Sequence, residues 1–121
     1  SFFLENTILS PHSTRTSNKI STHYFKSLTD VELASIDAGR FEQLMIENTE
    51  IRSFGNAVLQ NELKSKVEKE IALASLSAKE RLIEFRRKYR GLENLIPHTD
   101  IASYLGITNI SLSRLRKELS Q

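Results

Sequence analysis

The stretch that most constrains this chain is Asp100-Ile101-Ala102-Ser103-Tyr104-Leu105-Gly106-Ile107-Thr108, followed by Leu112, Leu115 and Leu119. Ile101, Ala102 and Leu105 fall on one face of a short helix, and the three later leucines on one face of a second, from about Asn109 to Leu119. Gly106 between them can take the positive φ that a sharp inter-helix turn needs. Thr108 suits the N-cap of the second helix, because its hydroxyl can accept an otherwise unpaired backbone N–H. Ala102 is small enough for that helix to cross closely, and Ile107, Leu112 and Leu115 can fill the angle between the two. Pro97 stands at the entrance of the first helix. The pattern predicts a helix-turn-helix, with a plain helical hairpin of polar surface as the alternative.

The outer face of the second helix carries Ser111, Ser113, Arg114 and Lys117, small donors and long cations near its start and middle. Such groups suit base edges and phosphates. The distribution of charge agrees with this. Residues 77–121 hold nine Lys or Arg against five Asp or Glu, a net of +4, whereas residues 1–76 carry a net of −2. A basic C-terminal part on a slightly acidic remainder is the pattern of a nucleic-acid module, although a basic solvated surface has the same composition.

Upstream, Ser77-Ala78-Lys79-Glu80 has the spacing of a capping box. The helix it opens places Leu82, Phe85 and Tyr89 inward and Arg86, Arg87, Lys88 and Arg90 near its C-terminus, with Gly91 as the expected C′ residue. The Arg86-Arg87-Lys88 run is expected to be a solvated face. Thr49 to about Ala74 reads as a long helix capped by Thr49, with an early face of Ile51, Phe54 and Val58. Its later stripe is Leu59, Leu63, Val67, Ile71 and Ala74, and Gly55 weakens it slightly. The narrow apolar seam over 62–70 suits helix pairing, between two chains or on its own chain. Asp37 can cap a shorter helix with Phe41, Leu44 and Met45 inward. Ile20 to Phe25 and Val31 to Ile36 read as two strands joined by a turn at 27–30, residues 10–23 as loop, and Phe2-Phe3-Leu4 as the remnant of a buried strand.

Other classes find less support. With no cysteine there is no disulfide framework or thiolate metal site. No apolar run approaches the ~18 residues of a membrane span, and Glu5 directly after Ser1-Phe2-Phe3-Leu4 is unlike a signal peptide. His12, His23 and His98 are scattered, none in a metal or nucleophile motif, and four glycines form no phosphate loop. The chain is expected not to be an enzyme and to bind no cofactor or metal.

Residues 101–108 together with Leu112-Ser113-Arg114 and Leu119 resemble the helix-turn-helix of Crp-Fnr type regulators, in particular the cysteine-free cyclic-nucleotide-binding-like branch of Bacteroidetes. Leu76-Ser77-Ala78-Lys79-Glu80-Arg81, Phe85 and Lys88-Tyr89 resemble the helix that opens the DNA-binding domain there, and Lys26 to Leu33 the last strands of its sensor. The resemblance implies a mainly α chain with remnant β-roll strands, a long dimerisation helix and a C-terminal winged-type helix-turn-helix. The implied divisions are a partial sensor domain over 1–48, the dimerisation helix over 49–75 and the DNA-binding domain over 76–121. With Ser1 in place of an initiator Met, it also implies a processed chain or a piece of a longer one that lacks most of the β-roll.

The implied function is a dimeric cytoplasmic transcription regulator that binds double-stranded DNA and contacts RNA polymerase, with no membrane. Its implied DNA-contacting residues are Thr108, Asn109, Ser111, Ser113, Arg114, Lys117 and His98, Arg114 reading a guanine and Lys117 and His98 holding phosphate. Two departures limit the carry-over. The family's phosphate-holding Arg-Ser or Arg-Thr pair aligns with Ser21-Thr22, with Arg15 nearby but out of register, so cyclic-nucleotide binding is not expected. Ile110 stands where the family often has Glu, and offers only apolar contact, for example with a thymine methyl. The alternative function is a truncated interaction protein that pairs with an intact regulator through its long helix.

Overall fold

The computed structural model describes residues 1–9, 16–18 and 20–120. His12, Arg15 and half of the loop expected over 10–23 lie outside them. Among the described residues the chain is mainly helical, and it divides into two compact units, Ser1–Ser65 and Lys66–Gln121. The division falls within one long helix.

In the first unit, two-residue strands β1 (Thr16–Ser17) and β2 (Ile20–Ser21) pair antiparallel, Thr16 opposite Ser21 and Ser17 opposite Ile20. Asn18 between them has φ 51°, a left-handed conformation that asparagine tolerates. This is not the expected hairpin. Pairing stops at Ser21, and Val31 to Ile36 form no strand. Tyr24 is 89% exposed and Leu33 71%. A strand must export its N–H and C=O groups to a neighbour, and among the described residues none faces this segment. Phe2-Phe3-Leu4 is likewise no buried strand: Phe3 and Leu4 are exposed, and the Phe3 ring packs edge-on against Phe25 at 6.0 Å.

Helix α1 (Ala38–Glu47) begins as expected, with the Asp37 carboxylate accepting from Arg40 N at 2.9 Å and Phe41, Leu44 and Met45 half-buried. Helix α2 (Thr49–Ser75) is capped by Asn48, not Thr49: Asn48 Oδ1 accepts from Ile51 N at 3.0 Å. The same Asn48 ends α1, so the break and the cap are one residue. Arg52 donates to the carbonyls of Met45 and Ile46 at 2.9 and 2.8 Å, satisfying acceptors that the end of α1 leaves open. Gly55 has a packing role that its helix propensity concealed. It is buried, and a Cβ there would lie 2.7 Å from Met45 Sδ and Cε; the missing side chain lets α1 approach.

The second unit holds the end of α2 and helices α3 (Ala78–Lys88), α4 (His98–Leu105) and α5 (Asn109–Leu119), with a 3-10 turn at Leu92–Asn94. Leu82, Phe85, Tyr89, Ile96, Ile101, Ala102, Leu105 and Leu112 are its buried core, each large one contributing about 1.5–3 kcal/mol. The Phe85, Tyr89 and Tyr104 rings pack on one another at 5.3 to 5.8 Å. Burial, reinforced by a hydrogen bond with Tyr104, pushes the Tyr89 phenol well above its ordinary value. The capping box is present in full: Ser77 Oγ accepts from Glu80 N, and Glu80 accepts from Ser77 N at 2.7 Å. Those bonds hold the Glu80 carboxyl below the usual range. Gly91 has φ 77° but lies one residue beyond the expected C′ place, since α3 is capped by Tyr89. The described residues of 77–120 contain no strand, so a wing has no counterpart among them.

Candidate nucleic-acid interface

The site is built on the turn between α4 and α5. At its start Gly106 has φ 68° and ψ 36°. Its N–H reaches the Ser103 carbonyl at 3.2 Å, and Ile107 N reaches Ala102 at 3.0 Å. This pair of bonds is a Schellman termination, which needs the left-handed residue that glycine supplies. A Cβ on Gly106 would also lie 3.3 Å from Leu73 Cδ2. Two residues on, Thr108 caps α5 by accepting from Ser111 N at 3.1 Å. Helix α5 then spans Asn109–Leu119, with Leu112 buried and Ile107 and Leu115 half-buried. Turn, cap and inner face all agree with the sequence.

Arg81 ties this pair to its neighbours. Its guanidinium donates to the carbonyls of Leu105 at 3.0 Å and Leu76 at 2.6 Å. Glu93 makes the second tie: Arg86 binds it through Nε at 2.7 Å and Nη2 at 3.0 Å, and Arg116 Nε lies 3.1 Å from it. The Arg86 hydrogen bond, with the charges of Arg86, Arg116 and His98 adding to it against the opposing effect of burial, keeps the Glu93 carboxyl below its ordinary value. Arg87 pairs with Glu84 at 2.8 Å and Lys79 with Glu118 at 2.5 Å. Most cations of the unit are therefore held by its own structure. The Arg86-Arg87-Lys88 run illustrates this, since its two arginines are in ion pairs and Lys88 lies over the Tyr89 ring at 5.4 Å.

Arg114 and Lys117 are different. Both are exposed on α5, and among the described residues neither is in an ion pair. Asn109, Ile110 and Ser113 are exposed beside them, Ile110 to 67%. Positions 110, 114 and 117 follow the i, i+4, i+7 spacing of one helix face. The other sequence-derived candidates are placed elsewhere. Ser111 is half-buried with its hydroxyl 3.0 Å from that of Thr108, so both serve the cap. His98, on the first turn of α4, has its imidazole against the Arg116 guanidinium.

Sequence reasoning missed Arg81, Arg86, Glu93 and Arg116 as positioning residues. Arg81 binds a carbonyl 24 residues away, and Arg86 meets Glu93 across a turn, so no helical spacing marks either. No group of three or more potential metal ligands occurs among the described residues, and none of their helices is long and apolar enough to cross a membrane. No family model, curated protein or solved structure matches this chain.

Proposed function

We propose that Lys66–Gln121 is a DNA-binding module of the helix-turn-helix kind, with α5 as its recognition helix. The observation that carries this reading is the contrast between Arg86, Arg87 and Arg116, which are paired with the protein's own carboxylates, and Arg114 and Lys117, which stand free of ion pairs on the outward face of α5. In this reading Arg114 takes a guanine edge, Lys117 a phosphate, Ile110 a thymine methyl, and Asn109 and Ser113 donate to bases or backbone. Thr108 and Ser111 set the start of α5, and His98 holds the Arg116 guanidinium beside the first turn of α4. The chain acts as a cytoplasmic transcription regulator of the Crp-Fnr type, a homodimer through α2 that engages RNA polymerase and carries out no catalysis.

Selection of bound duplexes from a random pool tests this. The expected product is a pair of inverted half-sites about 10 bp apart centre to centre, with one position relaxed in Arg114→Ala. A pool that stays random for the folded protein overturns the reading.

A second reading rests on α2. Leu63, Val67 and Ile71 recur every fourth residue and are all exposed, which supports an interaction protein that pairs with an intact regulator through this helix. Light scattering of a mixture with such a regulator distinguishes the two, since the second reading requires a mixed dimer that has lost DNA binding.

A further inference from the structure

The second unit contains a cleft of about 420 Å³ between the last turns of α2, helix α3 and the end of α4. Its volume is within the range of small-molecule sites, roughly 300–1,000 Å³. The walls are mostly apolar, from Ala72, Leu73, Leu76, Phe85, Tyr104 and Leu105. Lys69, Ala72, Leu73 and Leu76 follow the i, i+3, i+4, i+7 spacing of one helix face. Ile71, of the exposed stripe Leu63, Val67 and Ile71, also lines the cleft, whereas Leu63 and Val67 do not.

The charge in the cleft is uneven. Four cations line it, Lys69, Lys88, Arg81 and Arg87, against the carboxylates of Glu68 and Glu84. Arg87 and Glu84 satisfy each other, and Arg81 is committed to carbonyls. Lys69 and Lys88 remain as the cations able to meet a guest. Lys69 is half-buried with its Nζ 4.1 Å from the centre of the Tyr104 ring. Burial, and then the neighbouring charge of Lys88, lower its pKa. An anion in the cleft beside both lysines offsets that repulsion.

We infer that this cleft binds a small amphipathic anion, an aromatic or branched aliphatic carboxylate, with its apolar body against Leu73, Phe85 and Tyr104 and its carboxylate between Lys69 and Lys88. The apolar lining favours a body without polar groups, and the paired lysines select the charge. This site is separate from the outward face of α5 and does not depend on what that face binds.

The test is a titration of the isotope-labelled full chain with 2-naphthoate, followed by amide chemical-shift changes, with neutral 2-naphthamide as its control. Saturable shifts are expected at Lys69, Leu73, Leu76, Phe85 and Tyr104. Loss of the charge, by the amide or by Lys69→Met with Lys88→Met, is expected to weaken binding at least roughly tenfold, and the spectrum of the variant reports its folding directly. Shifts confined to other residues, no saturable shift, or equal binding of acid and amide would each overturn the assignment.

Discussion

The first 37 residues and the last 56 use similar side chains to opposite effect. Tyr24, Phe25, Val31, Leu33 and Ile36 lie exposed, while Leu82, Phe85, Ile101, Leu105 and Leu112 are almost fully buried. Apolar content is therefore not what separates them. The helices of the second unit satisfy their backbone groups within each segment, so each can form and then bury a stripe against its neighbour. The strand-like segments of the first need an external partner for every second backbone group before their side chains gain anything by burial.

The largest expected effect sharpens that contrast. Phe85→Ala or Leu105→Ala should destabilise the second unit by about 3–5 kcal/mol, whereas Leu33→Ala should change stability by no more than about 0.5 kcal/mol. Denaturant unfolding followed by far-ultraviolet dichroism separates these, and equal losses would break the comparison. Gly106→Ala comes next. A left-handed alanine costs about 1–2 kcal/mol, and Leu73 must also give way; an unchanged midpoint would show that the turn does not need its glycine. Ser77→Ala should cost about 1 kcal/mol through loss of the capping box, read as a lower melting temperature.

The smallest effect concerns acid. Glu93 has a folded-state pKa below its unfolded one. Its contribution is therefore complete above the unfolded value and is lost as pH falls through the folded value. Glu93→Gln should flatten the acid limb of the stability profile while costing about 1 kcal/mol at neutral pH. An acid limb as steep as that of the native chain would assign the titration to other carboxylates.

What was legible in the sequence follows the same division. The bounds of α5, the inward set Ile101, Ala102 and Leu105, the Thr108 and Ser77 caps and the positive φ of Gly106 could all be read, because each signal lies within a few residues of its effect. The Asn48 cap was missed by one position, since Asn48 and Thr49 are both good caps. The second strand was misread because β-branched and aromatic content says nothing of whether a partner strand exists. For the candidate site, the outward Arg114 and Lys117 were readable from helical spacing. The removal of Arg86 and Arg116 into bonds with Glu93 was not, since it depends on α3, the 3-10 turn and α5 meeting in space.

The central claim is that the outward cations of α5 hold DNA, and the salt dependence of binding tests it most directly. Fluorescence anisotropy of a labelled duplex would be measured at several salt concentrations for the native chain and for Arg114→Ala with Lys117→Ala. Binding is expected in the range of about 10⁻⁴–10⁻⁶ M for non-specific sequence at physiological salt, steeply weakened by salt, with a slope shallower by about one per bound chain in the variant. No binding at low salt by the folded native chain, or an identical slope in the variant, would contradict it.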